Sequence, residues 1–194
     1  MEASHVQKIA RVLNILVVIA LVCNIIILYL VPTAVLSGAP GLLEGVGSYL
    51  GGILQPGEDS VVAAGICGSF LAWFWFWRDA PSMVLTLFLV ISGICTAIIL
   101  WQGRRVLGTI LRGEPFSAEN AVSLRRAAVG SFIIAGAALF RVVFNLFHFR
   151  SAMPLLSYNA LFVPIFAMAG LLCLVMSALF RQAAEIKAEN DLTI

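Results

Sequence analysis

The chain has 194 residues, 61% of them hydrophobic and 11% charged, and its mean hydropathy is +1.03. A soluble domain carries roughly 45–50% apolar and about 25% charged residues; this chain lacks the polar surface to cover itself in water, which excludes an ordinary soluble globule. The net charge of +2 gives no bulk support for direct nucleic-acid binding, which draws on many phosphate contacts.

A membrane-spanning helix needs about 20 mostly apolar residues. The first such run covers residues 12–31, after Lys8 and Arg11. It exceeds the roughly 7–15 apolar residues of a secretory signal core, and no small-x-small cleavage site follows it at the right distance. It is therefore expected as a retained anchor. Residues 32–82 form a long connection, where ordinary helix–helix links take about 2–8 residues. Within it Leu42, Leu43, Val46, Tyr49, Leu50, Ile53 and Leu54 recur at helical spacing, which predicts a short helix on the membrane surface, either a cap or a ligand-binding lid. Residues 61–77, VVAAGICGSFLAWFWFW, are apolar throughout. Their aromatic end suits a bilayer interface, so this segment is expected to be interfacial or re-entrant. A fifth crossing here would carry the arginine-rich loop that follows to the opposite side.

The second span covers residues 83–101. Its helix is expected to continue through QGRRVLGTILR and to stop before Gly113, a residue suited to the position just past a helix end. Glu114, Pro115 and Phe116 make the turn. Ser117 suits the N-cap of the next helix, with Glu119 near its positive end and Phe116 able to pack on Ala121. The third span covers 127–149 and the fourth 160–180. Residues 102–126 thus form a basic helical hairpin, and 181–194 a tail whose first half continues the last helix. The predicted fold is all-α: one membrane domain over 1–194, a four-transmembrane-helix bundle with a long outer loop.

Orientation follows the positive-inside rule. With the N-terminus in the cytoplasm, Lys8, Arg11, Arg104, Arg105, Arg112, Arg125, Arg126, Arg181 and Lys187 all lie inside, nine of the twelve basic residues. The hairpin and tail then face the cytoplasm, where basic residues either contact anionic lipid or dock a partner.

An ionisable group inside a span is costly and marks a functional candidate. Arg141, Asn145 and His148 share one face of the third span, extended by Ala138 and Ser131. Small and polar residues are what helix contacts in lipid prefer, so this stripe is expected to face the bundle. Arg141 either snorkels outward or bonds backbone carbonyls and Asn24 of the first span, or joins Asn145 and His148 in a polar cavity open to the outer side. Pro164 is expected to loosen the fourth helix near the same depth.

Cys23, Cys67, Cys95 and Cys173 form no CxxC pair and read as small packing residues. The two histidines, His5 and His148, are far apart. There is no HExxH, phosphate loop or GxSxG, and no carboxylate lies within a span. No enzyme, metal site or cofactor is expected, and the oligomeric state is left open.

The stretch Gly113-Glu114-Pro115-Phe116-Ser117, then Asn120, then Leu124-Arg125-Arg126, resembles the inner hairpin of a bacterial membrane family, the domain-of-unknown-function family numbered 2975. The closing residues 186–194, IKAENDLTI, resemble its tail. The resemblance covers most of the chain from the first span onward. It implies a four-helix plasma-membrane protein whose gene neighbours that of a small helix-turn-helix regulator, and hence a membrane sensor or sequestering partner for that DNA-binding protein. Pro115, Phe116, Asn120, Glu189, Asn190, Asp191, Leu192 and Thr193 are the matching positions, expected either as a cytoplasmic contact surface or as a lock between hairpin and tail. The alternative function is a small oligomeric channel, carrier or immunity-type protein with an outer-facing polar cavity.

Overall fold

The computed structural model describes residues 5–36, 51, 59–75, 77, 79–114 and 116–192. Five helices organise them: α1 (His5–Leu36), α2 (Asp59–Trp75), α3 (Ala80–Leu111), α4 (Ala118–Phe149) and α5 (Phe162–Leu192). Four are long and apolar enough to cross a membrane: α1, α3, α4 and α5. The protein is a multi-pass, all-α membrane protein, as its composition requires. Of the surface helix expected between Leu42 and Leu54 only Gly51, helical and exposed, is described; the rest lies outside the described residues.

The helices outrun the apolar stretches that predict them. At 32 residues, α3 and α4 each measure about 48 Å at 1.5 Å per residue, against a hydrocarbon core of about 30 Å. Each is longer than the core requires, so its polar end has the length to extend beyond it. α1 also runs through Pro32, four residues short of its end. Proline removes the N–H that would bond the carbonyl of Leu28. Dense packing compensates, since Leu30 to Ala34 are all buried. One residue along, the Trp73 indole of α2 donates to the Tyr29 carbonyl at 3.3 Å. This bond and neighbouring contacts seat α2 on α1.

α1, α3, α4 and α5 pack in chain order, each on the next. Small residues set the spacing. A Cβ on Gly130 of α4 would lie 3.2 Å from Ile99 of α3, and one on Gly170 of α5 would lie 3.0 Å from the Phe132 ring of α4. α4 is the central helix, burying Ala127, Ala128, Gly130, Ser131, Ile134, Ala135 and Ala138. On the flanking helices large apolar side chains such as Ile15, Ile19, Ile165, Leu171 and Leu172 point outward, where lipid is their natural solvent. The cysteines divide likewise: Cys95 is buried, while Cys23 and Cys67 are exposed rather than packed.

α4 and α5 are joined through Arg150, at φ 48°, and two 3-10 turns, Met153–Leu156 and Tyr158–Leu161. The second turn delays the start of α5, so Pro164 is its third residue. In a first turn no helical N–H is needed, so Pro164 begins the helix rather than loosening it.

Candidate functional site

The α3–α4 turn is built almost wholly from local chemistry. Gly113 sits at φ +82°, a left-handed position that costs glycine least. The Gly113 N–H then reaches the Ile110 carbonyl at 3.1 Å and the Glu114 N–H the Thr109 carbonyl at 3.0 Å, which closes the end of α3. Ser117 caps α4, its hydroxyl accepting from the Asn120 N–H at 3.4 Å. Across the pair, Arg105 donates to Glu119 at 2.6 Å.

Under this turn lies a polar contact that sequence spacing does not reveal. The Thr109 hydroxyl bonds Asn120 Oδ1 at 2.9 Å. Both side chains are buried, Asn120 completely. Gln102, two helical turns along the same face of α3, is buried as well, and its Oε1 has no partner. On the far side of α4 the Ser177 hydroxyl of α5 donates to the Ala121 carbonyl at 2.7 Å. Three helices are thus cross-linked by hydrogen bonds at one level.

Hairpin and tail come together here. The Phe116 ring lies 5.8 Å from that of Phe180, so the turn meets α5. Beyond it, Ala118, Ala121 and Val122 of α4 face Ala184 and Ala188 of α5 across a groove of about 430 Å³, rimmed by Arg181 and Glu185, themselves paired at 3.0 Å. Of the residues expected on a contact surface, Phe116, Glu189 and Asn190 are exposed. Asp191 and Leu192 finish α5. Asn120 does not belong to that surface: its amide is wholly internal, held by Thr109. Pro115 and Thr193 lie outside the described residues.

At the opposite end, Arg141 is half-buried. Its Nη1 donates to Asn159 Oδ1 at 3.2 Å, and its guanidinium sits 5.0 Å from the centre of the Phe88 ring. The expected partner Asn24 is elsewhere. It lies on α1, which packs on α3 rather than α4, and its buried Oδ1 has no partner. The small-residue part of the stripe does face inward, since Ser131 and Ala138 are buried. His148 departs from it: exposed, it stacks on Phe144 at 5.5 Å and meets Phe149 edge-on at 5.0 Å. A groove of about 350 Å³ does open at this end, lined by Asn145, Phe149, Ser151, Met153, Pro154, Ser157 and Asn159. Neither Arg141 nor His148 lines it. The sequence missed Asn159 because a lone asparagine in a linker carries no periodic signal.

Among the described residues no group of histidine, cysteine and carboxylate side chains has the arrangement of a metal site. A family model described as a protein of unknown function (DUF2975) matches residues 69–194. It starts within α2, so the likeness expected from the first span begins later and leaves α1 out. No curated protein and no solved structure matches the chain.

Proposed function

The chain belongs to the DUF2975 family of proteins of unknown function, and on that premise we propose that it is a bacterial plasma-membrane protein that holds a small cytoplasmic helix-turn-helix regulator at the bilayer. Its termini and the α3–α4 turn are cytoplasmic in this reading, because Arg104, Arg105, Arg112, Arg125, Arg126 and Arg181 cluster where α3, α4 and α5 leave the apolar core, and basic residues are retained inside.

The carrying observation is the α4–α5 groove. Its floor of Ala118, Ala121, Val122, Ala184 and Ala188 is apolar yet lies past the membrane-embedded stretch, beside an Arg181–Glu185 pair. An apolar trough at the water side is the form in which an amphipathic partner helix is bound. The exposed Glu189 follows Glu185 by four residues and so continues its side of α5.

The test is co-purification from membranes of the full chain with the helix-turn-helix protein encoded beside its gene. Capture is expected for the wild type. It should fall for a chain ending at Ala188 and be lost for Val122→Glu, which sets a charge in the trough at an exposed position. Equal capture by all three would sink the proposal. The channel or carrier alternative finds less support, since the groove at the opposite end has no charged lining.

A further inference from the structure

A second concavity at the basic end stands apart from the α4–α5 groove. Trp101, Arg104, Arg105, Gly108 and Arg112 recur on α3 at intervals of three or four residues and so share one helix face. Together with Glu119 of α4 they line a cleft of about 360 Å³. Arg105 is fixed by its ion pair to Glu119. Arg104 lies 5.7 Å from the Trp101 ring centre. A cation–π contact draws on the charge of the guanidinium and not on its N–H hydrogen bonds, so those donors stay free. Among the described residues no carboxylate pairs with Arg104 or Arg112. Three cations against one carboxylate leave the cleft positive.

Depth adds a second argument. Trp101 directly follows the apolar run of α3, and Arg104 lies about 4.5 Å further along the axis. Indole rings concentrate at headgroup level, so the cleft opens where lipid phosphates lie. Its floor is open as well: a Cβ placed on Gly108 would meet nothing within 4 Å.

We propose that this cleft binds the phosphate of an anionic phospholipid headgroup, with Arg104 and Arg112 as the free donors, Arg105 held in place by Glu119, and Trp101 marking the acyl boundary. A soluble phosphate ester shares the phosphate chemistry but gains nothing from a tryptophan at the edge of the apolar run. Headgroup binding needs no regulator, so this proposal stands or falls separately from the groove.

The experiment counts ligands retained by the detergent-solubilised full chain in native mass spectrometry, using phosphatidylglycerol, phosphatidylcholine and glycerol phosphate. Retention of phosphatidylglycerol over phosphatidylcholine is expected. Replacing both Arg104→Gln and Arg112→Gln should lower that preference about tenfold or more. Gly108→Leu fills the cleft without changing charge and should lower it comparably. Arg125→Gln with Arg126→Gln removes equal charge from exposed positions on α4 and should lower it clearly less. If the α4 pair matters as much as the α3 pair, attraction is by charge alone and the site does not exist. Undiminished preference in a folded Gly108→Leu overturns the proposal too; should that variant unfold, the two arginine pairs decide. Glycerol phosphate retained as well as the lipid would overturn the lipid source in favour of a soluble one.

Discussion

The two ends of α4 are tethered by opposite means. At its start, six residues, caps included, join it to α3: Gly113 takes the left-handed position, Ser117 supplies the cap, and Asn120 drops straight onto Thr109. At its finish, Arg150 takes the left-handed position at φ 48° without being glycine. The chain then needs two 3-10 turns before α5 begins, and the polar contact is made by Arg141 with Asn159, eighteen residues away. One end is closed and sealed around a neutral pair. The other is longer and half-open, and it spends a charge to hold its linker. A tight turn between long helices fixes their register cheaply, whereas a loose one needs a side chain to reach across.

The strongest way to break this comparison is to remove the sealed pair. Asn120→Leu removes the buried cross-helix bond and leaves the Thr109 hydroxyl with the Val106 carbonyl of its own helix at 2.7 Å, and should cost about 1.5 kcal/mol in a denaturant titration of the detergent-solubilised protein. Adding Thr109→Val should recover part of that loss, since a buried hydroxyl that has lost one of its two partners is costlier than an apolar group of the same shape. A double variant as unstable as Asn120→Leu alone would mean that the pair does not hold the hairpin.

The two left-handed residues sharpen the contrast with opposite signs. Gly113→Ala should destabilise by about 1 kcal/mol, because a Cβ disfavours φ +82° although nothing crowds it there. Arg150→Gly should stabilise by somewhat under about 1 kcal/mol for the same reason reversed. Thermal unfolding midpoints of the two variants should move in opposite directions. Movement in the same direction would show that backbone geometry is not what distinguishes the ends.

The smallest effect is expected from the exposed Arg105–Glu119 pair. Glu119→Gln should change stability by no more than about 0.5 kcal/mol and lose even that in high salt, as for other solvent-exposed ion pairs. A larger, salt-insensitive loss would mean that the pair is shielded and belongs with the sealed contact below it.

How far the sequence could be read follows the same division. The end of α3, the Gly113 turn and the Ser117 cap are as their residues predict, because each depends on a handful of consecutive positions. The stripe of Ser131 and Ala138 was legible because helical periodicity fixes which residues share a face. Asn120 entered through the family resemblance, which left contact surface and hairpin–tail lock both open, and only the packing of α4 on α3 shows that it is buried against Thr109. Asn24 was one of the partners open to Arg141 on chemistry alone, and the order of helix packing rules that contact out.

Hydropathy settled that lipid surrounds this chain, since 61% hydrophobic residues leave too little polar surface to cover it in water, and hydropathy together with the placement of the arginines gave four crossing helices rather than five. Which polar groups meet was left to tertiary structure. That depends on the rotation and level of each helix against its neighbour: α4 stands between α3 and α5, which brings Thr109 to one side of it and Ser177 to the other, and keeps Asn24 of α1 out of reach of Arg141.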